Sequence, residues 1–190
     1  MGKIRFEAPL TLFLTAGCIL ATYLPLADSL AIGGSLASLL HPWTWVRLLL
    51  WPFVHETTSH LLGNLMLFLI LSPQIELRQG WLRYLAYLGF CSVVIGLGHL
   101  TFGAPGSFLV GASGWVFMLI LLSTFVTNAQ GTIPLHTLLV AGLYGWQELR
   151  AALTPNQVSH FAHFLGGICG LLFGYLGRGR SLGRATKSSS

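Results

Sequence analysis

Long apolar runs separated by short turn clusters dominate this chain. A transmembrane helix needs about 20 predominantly apolar residues. We therefore predict six spans, over residues 8–27, 58–77, 81–101, 109–128, 133–153 and 158–177. Residues typical of turns fill the joints between the later spans, beginning with Gly80 and the 103–106 segment. The pattern predicts an all-α polytopic membrane protein, with residues 1–190 forming a single membrane domain.

The segment between the first two spans has a different pattern. Residues 28–57 contain the pair Gly33-Gly34, two prolines and three tryptophans, which interrupt any simple span. Tryptophan is enriched where a membrane meets water. We predict that this long first loop lies partly in the interface, and loops of this length are usually functional.

Composition excludes most other classes of protein. The chain is 54% hydrophobic and 8% charged, with a mean hydropathy of +0.73, whereas soluble domains carry about 25% charged residues. Six spans use about 120 residues and leave no room for a separate soluble domain. The three cysteines all lie in apolar runs, so no disulfide framework is expected.

The net charge is +5, and the positions of the basic residues indicate how the chain is oriented in the membrane. With six spans, only Arg47 and Arg150 of the ten basic residues lie near one membrane face. The other eight, including those of a basic tail over 178–190, lie at the opposite face, which is cytoplasmic by the positive-inside rule. Both termini are therefore predicted to be cytoplasmic. No basic stripe is interleaved with aromatic residues, so no nucleic-acid partner is expected.

Polar residues inside the spans are concentrated in three helices that run in the same direction. Each occurs about two to seven residues into its span, a depth of roughly 3–10 Å, so they can converge at one level. Serine becomes a nucleophile beside a base, histidine is the usual base, and amide and imidazole groups can stabilise an oxyanion. The residues are His60 and Asn64 in the second span, Ser113 between Gly111 and Gly114 in the fourth, and His163 in the sixth.

Each of these signals is weak by itself. An isolated G-x-S-G more often packs helices, and a lone intramembrane histidine is more often a hydrogen-bonded structural residue than a catalyst. Gly166 and Gly170 form a G-x-x-x-G face that would bring span six against a neighbour, for which we favour span four. We expect His55, His99 and His160 to be loop or interface residues.

As an ordered set, the motifs resemble the rhomboid intramembrane serine proteases. The set consists of Arg47 in the first loop, His60-x-x-x-Asn64, Glu76-x-Arg78-x-Gly80, Gly111-x-Ser113-Gly114, and Ala162-His163-x-x-Gly166-x-x-x-Gly170. Together they cover about residues 42–175. The resemblance implies a rhomboid-like bundle of the minimal six-span bacterial form, in the bacterial inner membrane.

The resemblance also implies a role for each residue. Ser113 would be the nucleophile and His163 the general base of a Ser–His dyad. His60, Asn64 and the backbone N–H of Ser113 would donate to the oxyanion. Phe117 would stack on the base, where the family usually has an aromatic residue, Gly111 and Gly114 would let a substrate approach Ser113, and Arg47 would support the first loop. No metal or cofactor is expected.

Two positions depart from the family pattern. The first loop usually reads Trp-Arg, whereas here Val46 precedes Arg47, and Trp45 is the nearest substitute. The aromatic at 117 is Phe rather than Tyr. Glu76 and Arg78 are expected to cap span two and fix the loop that follows it.

Three functions remain open from the sequence. The leading one is hydrolysis of peptide bonds in or next to the transmembrane segments of single-span or multi-span membrane proteins within the lipid bilayer. The second is a catalytically inactive relative that binds such segments. The third is a metal or proton carrier lined by histidines, among them His60, His99, His160 and His163. The sequence makes no prediction of oligomeric state.

Overall fold

A computed structural model of the chain gives its architecture. The structure describes residues 7–24, 26–104, 106–126 and 160–185, together with residues 135, 139, 142, 143 and 146. The described part is mostly helical, with one short two-stranded pairing.

Seven α-helices occur in the described residues. They are α1 (Pro9–Tyr23), α2 (Ala27–Leu30), α3 (Pro42–Leu50), α4 (Thr58–Gln79), α5 (Trp81–Phe102), α6 (Ser113–Val126) and α7 (His160–Ala185). Short 3₁₀ helices cover Leu36–Leu40 and Trp51–Phe53. The strands β1 (Ile32–Gly33) and β2 (Phe108–Leu109) pair antiparallel.

Three of these helices are long and apolar enough to cross a membrane. They are α4, α5 and the His160–Gly177 part of α7, while α1 and the Ser113–Phe125 part of α6 are shorter apolar helices. These lengths and compositions are those of a multi-pass membrane protein. The prediction of six spans is only partly tested, because most of the predicted fifth span, 133–153, lies outside the described residues.

Local sequence signals explain where α4 and α5 begin and end. Thr57 caps the N-terminus of α4, and its side chain accepts a hydrogen bond from the backbone N–H of His60. Gly80 ends α4 with a φ of 80°, which glycine adopts without the steric penalty of a side chain. Because α5 begins at the next residue, the second and third predicted spans become two helices joined by a single glycine.

The predicted fourth span, 109–128, begins too early. The helix α6 begins only at Ser113, because Leu109 and Phe108 pair with Ile32 and Gly33 of the first loop. A Cβ on Gly33 would lie 2.6 Å from the ring of Phe108, so the close pairing requires glycine there. This pairing joins the first loop to the segment that leads into α6.

The predicted first loop, 28–57, is folded rather than an irregular loop. It contains α3, both 3₁₀ helices and β1. Trp51 is only 1% exposed and donates from its indole N–H to the carbonyl of Ser92 in α5, at 3.1 Å. The prolines that interrupt a transmembrane pattern are accommodated at helix starts, with Pro42 opening α3.

The predicted basic cytoplasmic tail, 178–190, is described only as far as Ala185, and its location stays a prediction. The helix α7 continues from His160 to Ala185, beyond the predicted end of the sixth span at residue 177.

The sequence suggested that Glu76 caps its own helix, but in the structure it does not. It is 4% exposed, and its carboxyl oxygens accept from the backbone N–H groups of Leu10 and Thr11 and from the hydroxyl of Thr11, at 2.7–2.9 Å. Leu10 and Thr11 begin α1, where backbone N–H groups have no partner within the helix. Glu76 therefore joins α4 to the N-terminus of α1.

Candidate active site

The turn that leads into α6 is shaped by Gly111. Its φ is +98°, a conformation that residues with a side chain rarely adopt. A Cβ at this position would also lie 2.6 Å from Cε1 and 2.7 Å from Nε2 of His60. Glycine is thus required twice, for the backbone conformation and for the close approach of an imidazole from α4.

Ser113 and His163 are in direct contact. The first residue of α6 presents its Oγ 2.7 Å from Nε2 of His163 in α7, across 50 positions of sequence. That distance is typical of a good hydrogen bond between a hydroxyl and an imidazole. An imidazole nitrogen this close can take the proton from the serine.

The glycines of the G-x-x-x-G face hold α7 against α6. A Cβ on Gly166 would collide with the carbonyl oxygen of Gly114, and one on Gly170 would collide with the carbonyl oxygen of Met118. Small residues let helix backbones approach closely in membranes, where association depends on van der Waals packing. This contact sets the distance between Ser113 and His163.

Phe117 stacks on His163. The ring centroids are 4.6 Å apart and the ring planes are inclined by 11°. Because Phe117 lies one turn after Ser113 on the same helix, its ring reaches His163 from the helix that carries Ser113. Stacking restricts the imidazole to one orientation.

His60 and Asn64 lie on one face of α4 beside the Gly111 turn. Asn64 is 8% exposed, and its Nδ2 lies 3.5 Å from the point where a Cβ of Gly111 would be. Within the described part of the chain, this buried amide nitrogen has no hydrogen-bond partner. Leaving a buried donor unsatisfied costs about 1–3 kcal/mol, so the burial of this nitrogen is unfavourable by itself.

His55 lies in the first loop, as expected, and it also belongs to this cluster. It is 3% exposed, and its Nε2 lies 3.2 Å from the backbone nitrogen of Ala112. Its ring also meets that of His60 edge to face, with centroids 5.0 Å apart. The available signal was its position directly after the apolar run of residues 51–54.

The environment of His55 keeps its ring neutral. Burial first, and the neighbouring His60 second, lower the pKa of His55 from 6.5 to about 4. A hydrogen bond with the backbone of Phe53 opposes this shift. At neutral pH one ring nitrogen of His55 therefore remains an acceptor.

The other predicted residues lie at the edges of this site or away from it. Arg47 donates from Nε to the carbonyl of Ser29 at 2.8 Å, which ties α3 to α2. Trp45 is 56% exposed and bonds the carbonyl of Leu39, so the buried tryptophan of the first loop is Trp51 instead. His160 is half-buried at the start of α7.

His99 is buried rather than interfacial. It lies in α5, is 6% exposed, and has its Nε2 3.3 Å from the carbonyl oxygen of Ser107. In the described ranges, no group of three or more His, Cys, Asp or Glu side chains is arranged to hold a metal ion.

Comparison with known protein families identifies the fold. The model of the Rhomboid domain matches residues 42–180, most of the chain. The chain belongs to the rhomboid family. The resemblance predicted from the ordered motifs is thereby confirmed.

A curated relative is similar in sequence to part of this chain. Rhomboid-related protein 2 of Mus musculus is 30% identical over 143 residues, which is 68% of this chain and 47% of the relative. The chain thus spans about half the length of the curated relative it matches.

Proposed function

We propose that this rhomboid-family protein is an intramembrane serine endopeptidase, which cleaves peptide bonds in or next to the transmembrane segments of other membrane proteins. Ser113 is the nucleophile and His163 is the general base. The single observation that carries the proposal is the 2.7 Å contact between Ser113 Oγ and His163 Nε2. Two helices packed through glycine hold this contact.

The first chemical step follows from that contact. Nε2 of His163 takes the proton from Oγ of Ser113 as Oγ attacks the carbonyl carbon of the scissile bond. His163 then gives the proton to the leaving amine nitrogen, and an ester of Ser113 remains. Water attacks this ester by the same route, which releases the acid and regenerates the serine.

The oxyanion that develops during attack needs donors on the far side of Ser113. We assign Nδ2 of Asn64, the imidazole of His60 and the backbone N–H of Ser113 to this role. The amide of Asn64 is buried and has no acceptor among the described residues, and the N–H groups of a helix's first turn have no partner within the helix. A donor that gains its acceptor only during reaction stabilises the transition state rather than the ground state.

The bilayer defines the class of substrate. Substrates reach Ser113 as membrane-embedded segments, because apolar helices that meet lipid surround the site. The exposed apolar side chains of α4 and α7 include Met66, Ile70 and Phe164. A segment that leaves its helical form near Ser113 presents the carbonyl that the nucleophile attacks.

Cleavage of a transmembrane reporter by purified protein tests the proposal. We expect the wild type to cleave it and Ser113→Ala to fail at equal expression and equal unfolding temperature. Ser107→Ala is the matched control, since this serine lies six residues earlier and bonds the carbonyl of Ala104. A folded wild type that binds the reporter without cleaving it would instead identify an inactive binder of transmembrane segments.

We also propose a bacterial inner-membrane location with the segments before α1 and after α7 in the cytoplasm. Eight of the ten basic residues support this orientation. Cysteines introduced at positions 3 and 187 should react with a membrane-impermeant maleimide only after cells are permeabilised. Labelling in intact cells would show that these segments lie outside the cytoplasm.

A further inference from the structure

The side chain of His55 hydrogen-bonds the backbone next to Ser113. Its Nε2 lies 3.2 Å from the nitrogen of Ala112, and the side chain is 3% exposed. A backbone N–H can only donate, so Nε2 is the acceptor and the ring proton is on Nδ1. The contact thus defines the tautomer.

The opposite edge of the same ring is held by other elements. Nδ1 lies 3.4 Å from the hydroxyl of Thr22 in α1, which can accept the Nδ1 proton. The hydroxyl of Thr22 also lies 3.5 Å from the carbonyl of Phe53. His55 therefore bridges α1 and the first loop on one side to the turn before α6 on the other.

The hydrogen bond from Ala112 to His55 helps to restrain the peptide groups on both sides of Ala112. Its N–H is held by His55, and its carbonyl accepts from the backbone N–H of Val116 at 3.0 Å. Because a peptide group is planar, the Ala112 carbonyl and the Ser113 N–H point in opposite directions from the same plane. Holding Ala112 at both ends thus sets the direction in which the Ser113 N–H points.

The ring of His55 also supports that of His60. The two rings meet at 75° with centroids 5.0 Å apart, and His60 in turn lies against Gly111. His55 therefore contacts one proposed oxyanion donor, the ring of His60, and the residue that precedes another, the backbone N–H of Ser113.

We infer that His55 is a positioning residue, which fixes the Gly111–Ser113 turn and the His60 ring in the geometry that receives the oxyanion. The inference rests on the proposed protease function. His55 need not touch the substrate, and its effect passes through Ala112 and His60.

A pair of variants that differ by one methylene tests the inference. In His55→Gln the side-chain oxygen reaches the position of Nε2 and can accept from Ala112, whereas in His55→Asn the oxygen reaches only the position of Nδ1. We expect His55→Asn to lower kcat about 100-fold with little change in KM, the order of loss for a misplaced catalytic group. We expect His55→Gln to recover at least about tenfold of that loss.

Hydrogen exchange gives a readout that does not need activity. The amide of Ala112 should exchange faster in His55→Asn than in the wild type and return towards wild-type protection in His55→Gln. The control is His99→Asn, which alters another buried histidine without contact to Ala112. It should leave both kcat and the exchange of Ala112 unchanged.

The outcomes separate this inference from the proposed function. If the wild type cleaves and His55→Asn keeps its kcat, or if His55→Asn and His99→Asn lose kcat equally, His55 does not position the site. If the wild type is inert, the protease proposal fails, and the exchange of Ala112 still decides whether His55 fixes the turn. Unchanged exchange in folded His55→Asn overturns the inference in either case.

Discussion

Two buried polar clusters in the described part of this membrane protein differ in how completely their groups are paired. Around Glu76 the carboxyl group accepts from Leu10 and Thr11, and Thr11, Ser72 and Tyr84 are linked through their hydroxyls. Around Ser113 the hydroxyl contacts the imidazole of His163, and the nearby amide of Asn64 has no hydrogen-bond acceptor in the described residues.

The difference separates structural from functional uses of polarity in a membrane. Polar groups at membrane depth are costly and need a reason. A cluster whose donors and acceptors are satisfied contributes to stability, as at Glu76. A cluster that keeps a buried donor ready for an absent acceptor loses stability and gains a binding site for developing charge, as proposed at Ser113.

The largest effect should come from His163. We expect His163→Ala to lower reporter cleavage by about 10⁴-fold or more, because a serine without its base is a poor nucleophile. The unfolding temperature should change little.

The matched control for that variant is His160→Ala, which removes a histidine three residues away on the same helix. It should retain cleavage, as measured on the same detergent-purified samples. If His160→Ala is the inactive variant, the assignment of the base is reversed.

The next effect should come from the proposed oxyanion donors. We expect Asn64→Ala or His60→Ala to lower kcat by about 10²–10³-fold without abolishing it, because the backbone N–H of Ser113 remains. Asn64→Ala should not lower the unfolding temperature, since its Nδ2 has no acceptor to lose within the described residues. A lower unfolding temperature with unchanged turnover per folded molecule would make Asn64 a structural residue instead.

Glu76 should behave in the opposite way. We expect Glu76→Ala to destabilise the protein by about 1–3 kcal/mol for each buried N–H left unsatisfied at the start of α1. Turnover per folded molecule should stay near that of the wild type. Denaturation in detergent and cleavage assays on the folded fraction measure the two quantities, and a variant with intact stability and lost turnover would end the contrast between the clusters.

The smallest effect is the dependence of stability on pH at His55. Its folded pKa of about 4 lies below its ordinary value of 6.5, because burial and His60 disfavour the charged ring. As pH falls, the unfolded chain therefore binds the proton first. The contribution of His55 is complete above pH 6.5 and is lost progressively towards pH 4.

The slope of that loss can be measured. We expect the unfolding free energy of the wild type to fall by up to about 1.4 kcal/mol per pH unit more steeply than that of His55→Gln across this window. Denaturant titrations at several pH values measure both slopes. Equal slopes would mean that the ring of His55 is not held neutral.

The sequence predicted the helices α4 and α5 to within two residues at each end, because local signals define them. Thr57 caps α4, and Gly80 separates two long apolar runs. The start of α6 was wrong by four residues, because strand pairing between residues 32–33 and 108–109 joins segments far apart in sequence. No pattern near residue 109 reveals that partner.

The distance between contacting residues along the sequence also decides which parts of the site could be predicted. Spacing along single helices placed His60 with Asn64 and His163 with Gly166, because residues three or four apart share a face. The partners of Glu76 and His55 lie 65 and 57 residues away, and only the folded chain brings them together. Sequence reasoning therefore found the proposed catalytic residues and the glycines that pack their helices, and it missed the long-range contacts of Glu76 and His55.

Of these two clusters, only the one around Ser113 should be chemically reactive. Mass spectrometry of protein treated with a fluorophosphonate, which reacts with activated serines, tests it most directly in wild type, His163→Ala and Glu76→Gln. We expect an adduct on Ser113, and none on Ser72, in the wild type and in folded Glu76→Gln. We expect no adduct in His163→Ala. An unlabelled Ser113 in folded wild type, or equal labelling in His163→Ala, would show that His163 does not activate Ser113.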